Sequence, residues 1–285
     1  MTRIGLDIGG SSIKAVAVHP DGTEQRVQSA RYRRPQRDRL IQELTRISQG
    51  LGIGGTRIES VGLCLPGIRS DDGSRVVRSV NVPGLEGLCL DEVVGCVVKN
   101  DVRRFVVGDA LAAARDARNQ LHLTGRVAGI SIGTGVGLAV LDDGGQIVHT
   151  DGGAGHLGQV DVRQPGDVPI GPDGGRGGLE AYIGSAALQE RFGSGDRAIL
   201  DGLASDPTPM RALGQAMRMV HAMYRPRTIV LLGGLGIRLG RFDLWELVNQ
   251  DLTELADPAW NLAFGQDDFH AARGAVHCCS PLGAE

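Results

Sequence analysis

The sequence predicts an α/β protein of two similar lobes, on three observations. Its 285 residues exceed one ordinary domain and suffice to bury a sizeable core. Short apolar runs that read as strands alternate with longer stretches of helical period. One local device, an apolar strand, a glycine–hydroxyl turn and a returning strand, occurs near residues 3–18 and again near 127–141.

Taken in order, residues 3–9 (RIGLDIG) alternate so that Ile4, Leu6 and Ile8 share one face. Gly9-Gly10-Ser11-Ser12 interrupts the run before IKAVAV resumes it, and Pro20-Asp21-Gly22 closes the hairpin. Residues 55–65 and 93–98 (VVGCVV) read as buried strands, and the stretch from 102, VRRFVVGDALAAARDAR, as a helix. Asp101 then stands at a strand-to-helix junction. An apolar strand at 127–132, the turn Gly133-Thr134-Gly135, a second apolar strand and Asp142-Asp143-Gly144-Gly145 repeat the opening plan. Either copy alone is an ordinary hairpin; repetition in matching order is what suggests two turns serving one ligand across a cleft. Residues 163–178 (RQPGDVPIGPDGGRGG) carry too much Gly and Pro for anything but a loop. LEAYIGSAALQERF and RALGQAMRMVHAMY read as helices, TIVLLGG as a strand ending in glycines, and 243–256 as helical.

Composition narrows the function. A formal net charge of -3 gives no basic field for polyanions, and 4% aromatics leave few rings to stack on bases, so no nucleic-acid partner is expected. The five cysteines have neither CxxC spacing nor an even disulfide framework, which suits reduced thiols in a cytoplasm. No segment reaches the roughly 18 apolar residues of a membrane span, and MTRIGLDIGG is not a secretory leader.

The chemistry-bearing residues cluster at the turns. Glycines let backbone approach an anion, and successive N–H groups can nest phosphate oxygens, with Ser11 or Ser12 adding a hydroxyl. Asp7 at the strand end is placed to hold hydrated Mg2+, and Lys14 to neutralise phosphate, although a strand lysine can equally face solvent. Gly133, Thr134 and Gly135 offer the same cradle a second time. Neither turn is a Walker loop or a Rossmann fingerprint, since GxxxxGK[ST] is absent and each turn leads into a strand. Asn100-Asp101 offers a carboxylate that is a helix N-cap, a general base, or both.

Together these residues resemble the ROK family of bacterial sugar kinases and repressors, of the actin-like, ribonuclease-H-like fold. The resemblance rests on Asp7-Ile8-Gly9-Gly10-Ser11-Ser12-Ile13-Lys14, with Ser11 where threonine is usual. It continues through Pro66-Gly67, Asn81-Val82-Pro83-Gly84, Asn100-Asp101, Gly133 to Gly137, Leu232 to Gly236, and Gly274-Ala275. It implies a two-lobed sugar-kinase fold with a central cleft. Residues 1–115 plus 268–285 would form a small α/β domain with the first phosphate motif and the base, and 116–267 a large one with the second phosphate motif, the adenosine site at Gly233-Gly234 and the substrate loop. It implies ATP and Mg2+ as cofactors, Asp101 as the base that deprotonates the acceptor hydroxyl, Asn81, Asn100 and Glu180 at the acceptor, and a homodimer.

Two departures matter. The family's Gly-Glu-x-Gly-His is here Gly155-His156-Leu157-Gly158-Gln159, so the resemblance implies that His156 and Gln159 would face the acceptor with other hydrogen-bonding capacity. The four positions that commonly hold structural zinc correspond to Gln159, Gly171, Asp173 and Gly178; none is His or Cys, so no structural zinc is expected. The 163–178 loop must then be ordered by other contacts or by substrate. Glu180 is alternatively an acidic first-turn residue favoured by a helix dipole. Arg103 and Arg104 read as solvated helix residues or, less simply, as cations selecting a phosphorylated acceptor such as a cyclitol phosphate, and RYRRPQRDR at 31–39 as a basic surface loop. The expected activity is a carbohydrate or cyclitol kinase acting on a small polyol. A polyphosphate donor or a catalytically idle sugar sensor or scaffold are the alternatives, while the repressor's helix-turn-helix has no room before residue 7.

Overall fold

The computed structural model describes residues 1–99, 101–143, 145–148 and 155–278. The chain divides into two compact units, Met1–Asp116 with Phe269–Glu285, and Ala117–Asp268.

The first unit opens with β1 (Thr2–Ile8), β2 (Ile13–Val18) and β3 (Glu24–Gln28), followed by α1 (Arg37–Gly50) and β4 (Ile58–Cys64). A two-stranded ribbon, β5 (Ile68–Arg69) and β6 (Val76–Arg78), precedes α2 (Leu90–Gly95), β7 (Arg103–Val107) and α3 (Asp109–Gln120). The sheet order is β3-β2-β1-β4-β7, with β2 and β3 antiparallel and β1, β4 and β7 parallel. The carboxyl ends of the three parallel strands therefore lie side by side, where such sheets present ligand-binding groups.

The second unit contains β8 (Val127–Ile132), β9 (Val136–Asp142), β10 (Gly145–Val148), α4 (Leu179–Ile183), α5 (Ser185–Phe192), α6 (Asp196–Ser205) and α7 (Thr208–Tyr224). After it come β11 (Thr228–Leu232), the single turn α8 (Gly233–Gly236), α9 (Leu244–Asn249) and β12 (Asn261–Phe264). Its order, β10-β9-β8-β11-β12, again sets two antiparallel strands beside three parallel ones. The echo in the sequence is thus a shared topology, and the fold is α/β of the actin-like type.

The last helix, α10 (His270–His277), returns to the first unit and lies against β1 and β4. Glycine makes this possible: a Cβ on Gly62 would sit 2.1 Å from the Ala275 carbonyl oxygen, and one on Gly274 1.9 Å from that of Ala112. A buried ion cluster fixes the same helix. Asp116 Oδ2 lies 2.5 Å from His270 Nδ1 and accepts from Arg273 Nη1 at 2.7 Å, each residue being at most 2% exposed.

Four sequence expectations need correction. VVGCVV is not a strand: its first residues end α2, where Leu90, Val93 and Val94 are buried at helical spacing and Cys89 and Glu92 form a capping box. The helix predicted from 102 is a strand followed by a helix, because RRFVV completes the parallel sheet beside β4 before the Ala-rich run begins. Of 243–256, only Leu244–Asn249 is helical, started by the Asp243 side chain accepting from the Glu246 N–H at 3.0 Å. Gly184 also divides the helix predicted from 179.

Candidate functional site

In the first unit the site grows from the ends of β1 and β7. Asp7 is half-buried and paired in register with Lys14 on β2, so both side chains leave the same face. Burial pushes the Asp7 carboxyl up to about 6; Lys14 opposes that rise and Asp109 adds to it. A carboxylate at 109 therefore lies within electrostatic reach of Asp7. Asp109 is exposed, opens α3, and follows Gly108, whose carbonyl accepts the first helical bond from the Ala112 N–H at 2.9 Å.

The junction assigned to Asp101 thus belongs to Asp109. Asp101 is exposed in the segment between α2 and β7, ahead of the strand and remote from any helix N-terminus it could cap. Asn100 lies outside the described residues. The sequence signal was present: an apolar run, Gly108-Asp109, then an Ala-rich helix. It was missed because the helical propensity of ALAAARDAR was extended backwards over the strand. Arg103 and Arg104 are strand residues; Arg103 Nη2 is 2.8 Å from Glu59 Oε1, and Arg104 pairs with Asp91. Each arginine thus already has a carboxylate partner, which removes the motive for assigning it to an anionic acceptor.

The first glycine turn separates its two serines. Ser12 is buried and its hydroxyl accepts from Gln28 Nε2 at 3.1 Å, whereas Ser11 is half-buried. The turn closes on itself through the Gly9 N–H to the Ser12 carbonyl, 3.1 Å. Asn81 is half-buried just before the turn of 3-10 helix Pro83–Leu85.

In the second unit, Gly133-Thr134-Gly135 joins β8 to β9, with the Gly133 N–H bonded to the Gly135 carbonyl at 2.9 Å. The α4–α5 junction holds it from outside. The Ser185 N–H donates to the Gly133 carbonyl at 2.8 Å, and Glu180 Oε2 accepts from the Val136 N–H at 3.1 Å. Gly233 flanks the same turn at positive φ, where a Cβ would meet the Ile132 carbonyl oxygen at 2.6 Å. His156 and Gln159 are both exposed around the short 3-10 turn Leu157–Gln159. That turn abuts Glu180, because a Cβ on Gly158 would lie 3.0 Å from Glu180 Oε2. The glutamate predicted to touch an acceptor therefore also braces the second glycine turn.

The 163–178 loop is ordered by protein contacts, as one of the two expectations held. Its ends are tied by Val162 N–H to Gly177 O (3.0 Å) and Leu179 N–H to Val160 O (3.1 Å). Tyr182, 1% exposed, accepts from the Gln164 N–H at 3.0 Å and donates to the Asp167 carbonyl. Arg191 closes the loop on Asp167 at 2.6 Å and also bonds Asp206. Gln159, Gly171, Asp173 and Gly178 supply no thiolate or imidazole. Among the described residues no group of three or more His, Cys, Asp and Glu could hold a metal ion. The Asp7 carboxylate beside a glycine turn does suit magnesium, which takes one or two carboxylates together with substrate phosphates. Among the described residues no helix is long and apolar enough to cross a membrane.

Known proteins bear on this geometry. The model of the ROK family matches residues 3–275. The N-acetyl-D-glucosamine kinase of Erwinia tasmaniensis is 27% identical over 305 residues, an alignment covering 95% of this chain and 97% of that protein. The ROK family glucokinase from Streptomyces griseus, solved with glucose and AMPPNP, superposes with a TM-score of 0.74 at 20% identity, over 98% of this chain and 99% of that one. The ROK hexokinase from Thermus thermophilus gives 0.66 at 21% identity, over 97% of each chain.

Proposed function

This chain belongs to the ROK family, and we propose that it transfers a phosphoryl group from ATP to a hydroxyl of a sugar or sugar-like polyol, with Asp109 rather than Asp101 as the general base. One observation carries the proposal: the carboxyl ends of parallel strands place Asp7 and Asp109 within electrostatic reach of each other beside a glycine turn. A pure binder has no use for two like charges, one of them half-buried. The names of the relatives, kinases of glucose, N-acetylglucosamine and hexoses, support a sugar as acceptor.

In the proposed reaction the acceptor O–H gives its proton to the Asp109 carboxylate as the oxygen attacks the γ-phosphorus. The bond to the β–γ bridging oxygen breaks and ADP leaves. Asp7 would hold hydrated Mg2+, which when bound neutralises charge on the donor's phosphates. Both glycine turns, with Lys14 and Ser11, are assigned to those phosphates, and Gly233-Gly234 to the adenosine. His156, Gln159, Glu180, Asn81 and Asn100 are assigned to the acceptor. His156 and Gln159, in place of glutamate and histidine, are the reason to extend the acceptor class to amino sugars and cyclitols. The same proposal makes the protein a cytoplasmic homodimer.

The test is ADP release across a panel of hexoses, amino sugars, cyclitols and their phosphates, with ATP and polyphosphate compared as donors. Turnover of a neutral sugar or cyclitol with ATP is expected. Turnover with polyphosphate alone would replace the donor, and silence across the panel would leave a non-catalytic sugar sensor.

A further inference from the structure

The end of β3 and the segment after it, which runs into the basic stretch at 31–39, lie along the first glycine turn and bond Gly9, Ser11, Ser12 and the flanking Ile13. Gln28 Nε2 donates to Ser12 Oγ. Ser29 Oγ accepts from the Ile13 N–H at 2.9 Å, while the Ser29 N–H donates to the Ile13 carbonyl at 2.9 Å. The Tyr32 N–H donates to the Ser11 carbonyl at 2.9 Å, and the Tyr32 hydroxyl to the Gly9 carbonyl at 2.8 Å.

The last contact is the telling one. Gly9 and Gly10 have no Cβ, so the peptide plane between them has little steric resistance to rotation. That plane carries the Gly9 carbonyl and the Gly10 N–H on opposite edges, locked together by the planar trans amide. A hydroxyl that fixes the carbonyl on one side therefore aims the N–H to the other. The Tyr32 ring packs against the apolar core of the first unit, which makes the hydroxyl a fixed point rather than a mobile one. Burial, followed by the charges of Asp7 and Glu43, raises the phenol's pKa, so it stays a donor over the working pH range.

We infer that Tyr32 is a positioning residue for the donor's phosphates, acting through the Gly9–Gly10 peptide without touching the nucleotide. The inference rests on the phosphate role proposed above for this turn. Nucleotide affinity depends on Tyr32, whereas acceptor affinity does not.

Tyr32→Phe tests this in the full-length protein, since it keeps the ring and removes one hydrogen bond. Binding of a magnesium-loaded non-hydrolysable ATP analogue should weaken about 3- to 10-fold, the range one hydrogen bond spans. The nucleotide KM should rise in parallel, the acceptor KM should stay within about twofold, and the melting temperature should fall by no more than about 3 °C. Unchanged analogue affinity in Tyr32→Phe would overturn the inference alone. A joint rise of both KM values with a large loss of melting temperature would overturn it in favour of a general structural role. A wild-type protein that binds the analogue but phosphorylates nothing would sink the kinase reading and leave the binding comparison to judge Tyr32. A wild-type protein that binds no analogue would sink both.

Discussion

The two glycine turns occupy equivalent places in sheets of the same topology, yet they differ in the charge that surrounds them. The first is surrounded by ionisable groups, Asp7 and Lys14 in register and Asp109 nearby, and is braced through its carbonyls at Gly9 and Ser11. The second carries no ionisable residue of its own; one outside carboxylate, Glu180, takes the Val136 N–H. In both, a carbonyl of the turn accepts from outside, Gly9 from Tyr32 and Gly133 from Ser185, and the N–H that follows the turn is taken, Ile13 by Ser29 and Val136 by Glu180, so the bracing is alike and the ionisable setting is what differs. On the proposed reading the chemistry accordingly goes with the first turn, and the second serves as a backbone cradle.

The sharpest way to break this division is to remove the proposed base. Asp109→Asn should lower kcat by about 10²- to 10⁴-fold, the usual contribution of a general base, whereas Asp101→Asn should change it less than about threefold. A pair of variants with the reverse effects would restore Asp101 and move the chemistry off the strand ends. Next in size is Asp7→Asn, which should cost on the order of 10²-fold in rate while raising stability. The folded pKa of Asp7, about 6, lies above the ordinary carboxylate value of 3.8, so its penalty is absent below pH 4 and complete once pH rises past 6. The variant should gain on the order of 2–3 kcal/mol at pH 7.5 and nothing at pH 3.5, read by denaturant unfolding.

For the second turn, Glu180→Leu strands the Val136 N–H and should raise the nucleotide KM about tenfold. Glu180→Gln keeps an acceptor oxygen and should leave that KM within about threefold, so any rise in the acceptor KM then isolates a sugar contact. Should Leu and Gln behave alike toward nucleotide, the bracing role is lost. The smallest expected effect is on stability alone. His221, on α7, is 4% exposed with its ring edge-on to Trp260, and burial lowers its pKa to about 4. Its folded pKa is below the unfolded 6.5, so stability should be lost as pH falls from 6.5 to 4, by on the order of 2–3 kcal/mol. His221→Phe should flatten that limb. Acid would then relieve the first unit through Asp7 while burdening the second through His221.

Much of the site was legible because it is local. The alternation of Ile4, Leu6 and Ile8, the interrupting glycines and the same plan at 127–141 are short-range patterns, and β1 and β8 fall where that pattern puts them. The boundaries at 93–98 and 102–107 were not legible. A run such as RRFVV joined to an Ala-rich segment satisfies a helical window, and only pairing with β4, some 40 residues earlier, makes it a strand. The 163–178 loop was readable as a loop and as lacking zinc ligands, but not as a segment fixed by Tyr182 and Arg191 from the helices that follow it.

By itself, then, the sequence determined the α/β class, the family and the two turns, because glycine spacing and apolar period are properties of consecutive residues. Only the tertiary structure decided which aspartate stands at a strand end, that Tyr32 braces the first turn, and that Glu180 braces the second. Those facts depend on which strands pair and which side chains meet, and residues distant along the chain settle that through burial and hydrogen bonding.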